Sequence, residues 1–272
     1  MIVLYILTGV ILILLLAYVL STMCRNGHKG LPALRDWAYA HRGLHGNGVP
    51  ENSLAAFKLA VEAGYGSELD VHLMADGNLA VIHDSTLMRT TGAEGKIEDL
   101  MTQQLTNYCL EGTEETIPTF EEVLALYAGR APLIVELKPV GKNYAKLCSR
   151  VCTALDTYSG VYCIESFDPR CVYWFRKNRP DVIRGQLTEN FFLAKNSKLP
   201  WIIKFALKVQ MLNFLIKPDF IAYKYRDRVN FSNVLRRKLW KAQGVTWTLK
   251  SQEDFNTAVA EGWIPIFEGF RP

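Results

Sequence analysis

SELDVHLMADGNLAVIH, residues 67–83, holds two short runs of strand-favouring residues, SELDV (67–71) and LAVIH (79–83), around an Asp76-Gly77 turn. Only HLMADGN separates them. A parallel crossover needs a dozen or more residues, so the second run is expected to return antiparallel as a hairpin. Seven further runs read as strands: WAYAH (37–41), PLIVELK (132–138), VYCIESF (161–167), VIRGQL (182–187), FIAYKY (220–225), VTWTL (245–249) and IPIFEG (264–269). With the hairpin return set aside, eight candidates remain for parallel strands. Helical patterns fit between most of them, over 52–64, 119–128, 143–158, 169–178, 230–242 and 251–261. Asn52 is the expected cap of the first, and Thr119 that of the second, with Glu122 in the capping-box position. Eight parallel strands with intervening helices in roughly 240 residues describe an α/β fold, a (β/α)8 TIM barrel with an inserted β-hairpin; a doubly wound open sheet is the alternative.

Ahead of the barrel stands MIVLYILTGVILILLLAYVL, twenty residues without a charge. As a helix, residues 2–20 would cover roughly 28 Å, the thickness of a hydrocarbon core. A cleaved signal peptide would want a basic stretch before the apolar run and a small-x-small site after it, and neither is obvious. The division expected is therefore a transmembrane anchor over 1–24, a linker over 25–35 and a catalytic domain over 36–272. Arg25, His28, Lys29 and Arg35 follow the apolar run and no cation precedes it. The positive-inside rule then makes this a single-pass membrane protein with its barrel in the cytoplasm.

A net charge of +4 is too mild to imply nucleic acid, which needs basic residues concentrated on one surface. The six cysteines show no CxxC spacing and read as reduced thiols, as a cytoplasmic location would suit. The GxG at 46–48 is too short and wrongly placed for a dinucleotide loop. His28, His45 and His72 read as structural, and Arg89 as a pin for the loop after His83.

Phe191–Lys217 carries Lys195, Lys198, Lys204, Lys208 and Lys217 with no acid, among many large apolar residues. Wound as one helix, 200–217 puts its polar positions on two arcs, Lys204 with Lys208 and Gln210 with Asn213 and Lys217. A helix crossing the barrel rim and a segment lying on a membrane both remain open.

In a barrel of this kind, reactive side chains project from the C-terminal strand ends. The ends here read His41-Arg42-Gly43, Glu68-Leu69-Asp70, His83-Asp84 and Glu136-Leu137-Lys138. Glu68 and Asp70, two apart on a strand, share a face, as do Glu136 and Lys138. So many charges inside a barrel need compensation. One divalent cation, Mg²⁺ or Ca²⁺, does this if Glu68, Asp70 and Glu136 are its ligands. His41 and His83 then suit a general acid–base pair. Arg42 offers a guanidinium fork for a phosphate and Lys138 a point charge. The set describes a phosphoryl-transfer site.

AHRGLHGNGVPENSLAAF (40–57), GSELDVHLMADGNLAVIHDSTLMRTTG (66–92) and LIVELK (133–138), followed by ESF (165–167) and TWTL (246–249), resemble the glycerophosphodiester phosphodiesterase family over nearly all of the chain after the apolar run. The resemblance implies a metal-dependent (β/α)8 barrel that splits glycerophosphodiesters into glycerol 3-phosphate and an alcohol. It implies the same roles for His41, His83, Glu68, Asp70, Glu136, Arg42 and Lys138. It adds Glu51 as a supporting carboxylate near the site and Trp247 as a tryptophan lining the substrate end of the pocket. It further implies that the glycerol 2-hydroxyl attacks phosphorus, giving a cyclic phosphate that water opens. The last strand departs from the family's pattern: Glu268 stands near the position of an expected Thr-Asp, leaving that strand's contribution open.

The expected partners are a glycerophosphodiester or a lysophospholipid, and a membrane met through the N-terminal helix and the Phe191–Lys217 segment. Phospholipase C or D chemistry on intact lipid is one alternative. A catalytically silent, membrane-tethered binding barrel is another.

Overall fold

A computed structural model of the chain describes residues 1–194 and 199–272. Nine strands form one sheet, β1 Tyr39–His41, β2 Gly66–Leu73, β3 Leu79–Val81, β4 Leu133–Leu137, β5 Tyr162–Ser166, β6 Arg184–Thr188, β7 Phe220–Lys224, β8 Gln243–Leu249 and β9 Trp263–Phe267. Eight of them pair in parallel in the order β1-β2-β4-β5-β6-β7-β8-β9, and β9 closes back on β1. β3 pairs antiparallel with β2, Val71 opposite Val81, and is the hairpin return that the Asp-Gly turn requires. The closed barrel removes the open-sheet alternative.

Period-two alternation builds the two layers. Leu69, Val71, Val135 and Leu137 face outward and pack with Phe57, Val123, Val151 and Phe175 of the surrounding helices. Glu68, Asp70 and Glu136, on the opposite face of the same strands, are thereby turned into the lumen. Below them the lumen is filled by Tyr39, Ile134, Phe220, Val245 and Ile264, with Leu31 and Leu34 closing the bottom. Residues 25–35 are therefore a plug rather than a free tether. Arg25 pairs with Asp219, and His28 Nε2 lies 2.8 Å from the Asp181 carbonyl.

Two local readings change. The helix Leu54–Glu62 is capped by Ser53, whose Oγ accepts from Ala56 N at 3.1 Å, and not by Asn52. Asn52 instead takes a positive φ of 55° and spends its side chain on Asp70. Thr119 and Glu122 do form the expected capping box on Phe120–Tyr127. Residues 200–217 are not one helix. The helix Trp201–Val209 stops at Gln210, which has φ 57°, and a short helix, Asn213–Ile216, follows. The two polar arcs belong to these two pieces, and Gln210 and Asn213 are buried. Lys195 and Lys198 lie outside the described residues. All six cysteines are free, five of them buried.

The helix Ile2–Ser21 is long and apolar enough to cross a membrane, and none of its residues is buried.

Candidate active site

The register of the parallel strands sets the site. Asp70 stands opposite Glu136, and His41 stands opposite Glu68, two residues lower than Asp70 on the same strand, so the four reactive side chains converge from two adjoining levels of the barrel mouth. A cavity of about 390 Å³ opens there, lined by His41, Arg42, Glu68, His83, Glu136, Lys138, Glu165, Phe167, Glu189, Lys224 and Trp247 among others. A larger hollow of about 530 Å³ lies at the opposite end, against Arg35, Trp37, Gln243 and Trp263, and gathers no comparable acid–base set.

Arg42 reaches this level because the chain turns sharply after β1. Arg42 and Gly43 both have positive φ, 56° and 80°. A Cβ on Gly43 would sit 2.8 Å from Ala56 Cβ and 2.9 Å from the Ala56 carbonyl carbon, so glycine alone lets the helix Leu54–Glu62 pack against the turn. Ala56 O then accepts from Leu44 N, fixing the loop.

Both imidazoles are held at Nδ1 by a carboxylate. His41 Nδ1 lies 2.7 Å from Glu268 Oε2, and His83 Nδ1 lies 2.7 Å from Asp84 Oδ1. This leaves Nε2 of each as the working nitrogen; that of His41 is 3.9 Å from Glu68 Oε2. Burial, with Arg42 nearby, holds His41 below the usual imidazole range against the pull of Glu268. Burial also takes His83 down to about 4, with Lys138 and Arg42 acting in the same direction.

Glu68, Asp70 and Glu136 are buried, and a carboxylate oxygen from each lies within 4.8 Å of the others. Burial, together with the neighbouring Asp70 and Glu136 charges, raises Glu68 well above the carboxylate range. Burial likewise pushes Glu136 up to about 7. Asp70 stays ionised against its burial because Lys138, His83 and Arg42 surround it, with Lys138 Nζ 3.0 Å from Oδ1. Three all-oxygen donors crowded until two resist ionisation form a set that a hard divalent cation fits, since its charge would relieve the repulsion. Lys138 Nζ also lies 2.7 Å from Glu136 Oε1.

Glu51 does not line the open cavity. It sits between two guanidinium groups, 2.9 Å from Arg42 Nη1 and 2.6 Å from Arg89 Nη2, as a supporting carboxylate would. Arg89 also pairs with Asp84 and so pins the loop that carries His83. Trp247 reaches the mouth, its ring perpendicular to Phe167 at 5.6 Å and its Nε1 without a hydrogen-bond partner among the described residues. His72 is structural, bridging Glu98 and the His83 carbonyl.

Two further acidic side chains lie at the site, one whose contribution the sequence left open and one to which it gave no role. Glu268 is one: the last strand does contribute, by holding His41. Glu165 is the other. It stands opposite Glu136 across β4 and β5, is buried, and its Oε2 has no hydrogen-bond partner among the described residues. Burial, with the Glu136 charge beside it, raises it well above the usual carboxylate range. Its signal was an acid at a strand end, in VYCIESF.

A parallel barrel with carboxylates, imidazoles and cations converging at the strand C-termini has acid–base and anion-binding groups where barrel enzymes carry their active sites. The sequence model of the glycerophosphoryl diester phosphodiesterase family matches residues 41–267, and the chain belongs to that family. It is 38% identical over 236 residues to the glycerophosphodiester phosphodiesterase of Caldanaerobacter subterraneus subsp. tengcongensis, covering 82% of this chain and 89% of that one. A shorter match, 41% identical over 107 residues, links it to the glycerophosphodiester phosphodiesterase of Bacillus altitudinis and spans 37% of this chain and 43% of that one. Among solved structures, the fold matches an Oleispira antarctica phosphodiesterase in complex with the product sn-glycerol-3-phosphate, with a TM-score of 0.70 at 22% identity over 85% of this chain and 92% of that one. The chain is thus a phosphodiesterase of that family.

Proposed function

We propose that the protein hydrolyses glycerophosphodiesters to glycerol 3-phosphate and an alcohol, with His41 and His83 as the acid–base pair. The observation that carries this reading is the matched pair of imidazoles across one cavity, each fixed at Nδ1 by its own carboxylate. A base needs a free ring nitrogen at a fixed angle, and Glu268 and Asp84 supply that constraint. One imidazole takes the proton of the attacking hydroxyl while the other protonates the departing alcohol oxygen. With the glycerol 2-hydroxyl as the attacking group, the product of this step is a cyclic phosphate. The roles then reverse as water opens the ring.

Glu68, Asp70 and Glu136 would hold a divalent cation, Mg²⁺ or Ca²⁺, which supplies positive charge to the phosphoryl oxygens. Lys138 and Arg42 add fixed charge on the same side, and Arg42 is held in place by Glu51. Trp247 and Phe167 form an apolar wall for the alcohol or the glycerol carbons. The helix Ile2–Ser21 would anchor the catalytic domain, with Arg25, His28, Lys29 and Arg35 favouring the cytoplasmic side.

A second reading, lysophospholipase D activity, is favoured by one observation: Phe191 packs on Phe167 of the cavity and leads into exposed Phe192 and Leu193, a surface suited to an acyl chain. Products separate the two. Incubation with glycerophosphocholine, glycerophosphoethanolamine and lysophosphatidylcholine, each with and without chelator, should release glycerol 3-phosphate from the first two in a cation-dependent way. Lysophosphatidate from the third would establish the second reading; diacylglycerol or phosphatidate from intact lipid would indicate phospholipase chemistry instead.

A further inference from the structure

The helix Ile2–Ser21 is exposed along nearly all of its length and pinned to the barrel only at its end. Tyr18 Oη and Ser232 Oγ share a hydrogen bond of 2.7 Å, and the Tyr18 ring stacks on Phe231 at 6.4 Å. One turn later Trp240 Nε1 donates to Thr22 Oγ1 at 3.1 Å, and Arg25 pairs with Asp219.

These contacts have a direction. Phe231 opens the helix Phe231–Leu239 that follows β7, so it lies at the mouth end of the barrel. Trp240 closes that helix and Asp219 precedes β7, so both lie at the bottom end. Between Tyr18 and Arg25 the chain therefore descends the barrel wall from mouth to bottom. Residues 2–17 project beyond the mouth, and a bilayer crossed by them lies on the cavity side.

The same sector carries uncovered apolar surface. Leu193, Trp201, Val229 and Phe231 are 71%, 69%, 79% and 70% exposed, and Ile202 and Phe205 are exposed beside them. The helix Trp201–Val209 has no buried residue at all. The surface is continuous with the cavity, since Glu189 lines the cavity and Phe191 packs on its Phe167. No acid occurs between Phe191 and Lys217, while Lys204 and Lys208 offer charge to anionic headgroups.

We propose that the barrel docks on a phospholipid bilayer mouth first, with the rim around Leu193, Trp201, Val229 and Phe231 immersed at headgroup depth beside the spanning helix. The cavity then opens onto the lipid surface instead of the aqueous phase. An exposed apolar patch next to a bilayer-length helix is covered by the membrane that the helix enters. The docking geometry holds whichever diester is cleaved.

The test uses the full chain in vesicles of phosphatidylethanolamine and phosphatidylglycerol. In a Cys109→Ser background, the remaining native thiols are buried, so a nitroxide reports only an introduced cysteine. Leu193→Cys, Trp201→Cys and Val229→Cys are compared with Lys177→Cys, which is exposed near the bottom end of the helix Pro169–Asn178. At the rim, the ratio of collisions with oxygen to collisions with a water-soluble nickel chelate should exceed that at Lys177 by threefold or more. Equal ratios would overturn the proposal, as would release of a soluble protein lacking residues 1–21. Glycerophosphocholine turnover is measured on the same vesicles: lipid-immersed labels on an inactive protein would sink the catalytic reading and leave the docking intact.

Discussion

His41 and Glu268, 227 residues apart in sequence, meet at 2.7 Å and tie the first barrel strand to the last. The contact fixes which nitrogen of His41 faces the cavity, and it keeps Glu268 ionised below the usual carboxylate range, with Lys250 Nζ 3.0 Å from its other oxygen.

Glu268→Gln keeps the shape but can present either amide atom to His41, so the tautomer and the charge are both lost. Turnover should fall on the order of 10- to 100-fold with KM for glycerophosphocholine little changed. The rate–pH profile should also move, because the imidazole loses a group that raises its pKa. A loss confined to KM would assign Glu268 to substrate binding.

Glu136 gives a pH dependence of stability whose sign can be worked out. Its folded-state pKa is raised to about 7, mainly by burial, from an ordinary value of 4.5. The folded protein therefore holds a proton there that the unfolded chain has released, and its stabilising effect is full below pH 4.5 and lost as pH rises through about 7. In chelator, Glu136→Gln should melt higher than the parent at pH 8, with the difference shrinking toward pH 4.5. Melting curves by circular dichroism check this; a difference independent of pH would contradict it.

Much of this arrangement was legible in the sequence, and the exceptions share a cause. The Asp76-Gly77 turn excluded a ninth parallel strand, and the two-residue spacing of Glu68 and Asp70 placed both in the lumen, because each depends on neighbours in the chain. Glu268 was left open because its partner lies on the opposite chain end. Asn52 and Ser53 are both good caps, and only the proximity of Asp70 decides that Asn52 is used elsewhere. The break at Gln210 has no glycine or proline to announce it. It arises from burial of Gln210 and Asn213, where Asn213 Nδ2 reaches Gln210 Oε1 and Cys24 Sγ.

Gly43→Ala tests the turn that presents His41 and Arg42. The substitution combines a left-handed backbone with a contact of 2.8 Å to Ala56. It should cost about 1–3 kcal/mol of stability. Turnover should fall further than the melting temperature alone explains, because the strain is relieved by moving the loop that carries Arg42. Denaturant titration and kinetics on the same preparation separate the two effects.

The most direct measurement is release of glycerol 3-phosphate from glycerophosphocholine by the purified full-length protein, compared with His83→Ala and Glu68→Ala, with Mg²⁺, with Ca²⁺ and with chelator. Cation-dependent release is expected, with kcat lower on the order of 10²- to 10⁴-fold in His83→Ala and a loss worth several kcal/mol of transition-state stabilisation in Glu68→Ala or chelator. Turnover that survives chelation, or a near-normal rate in either variant, would contradict a site built from two imidazoles and a carboxylate-held cation.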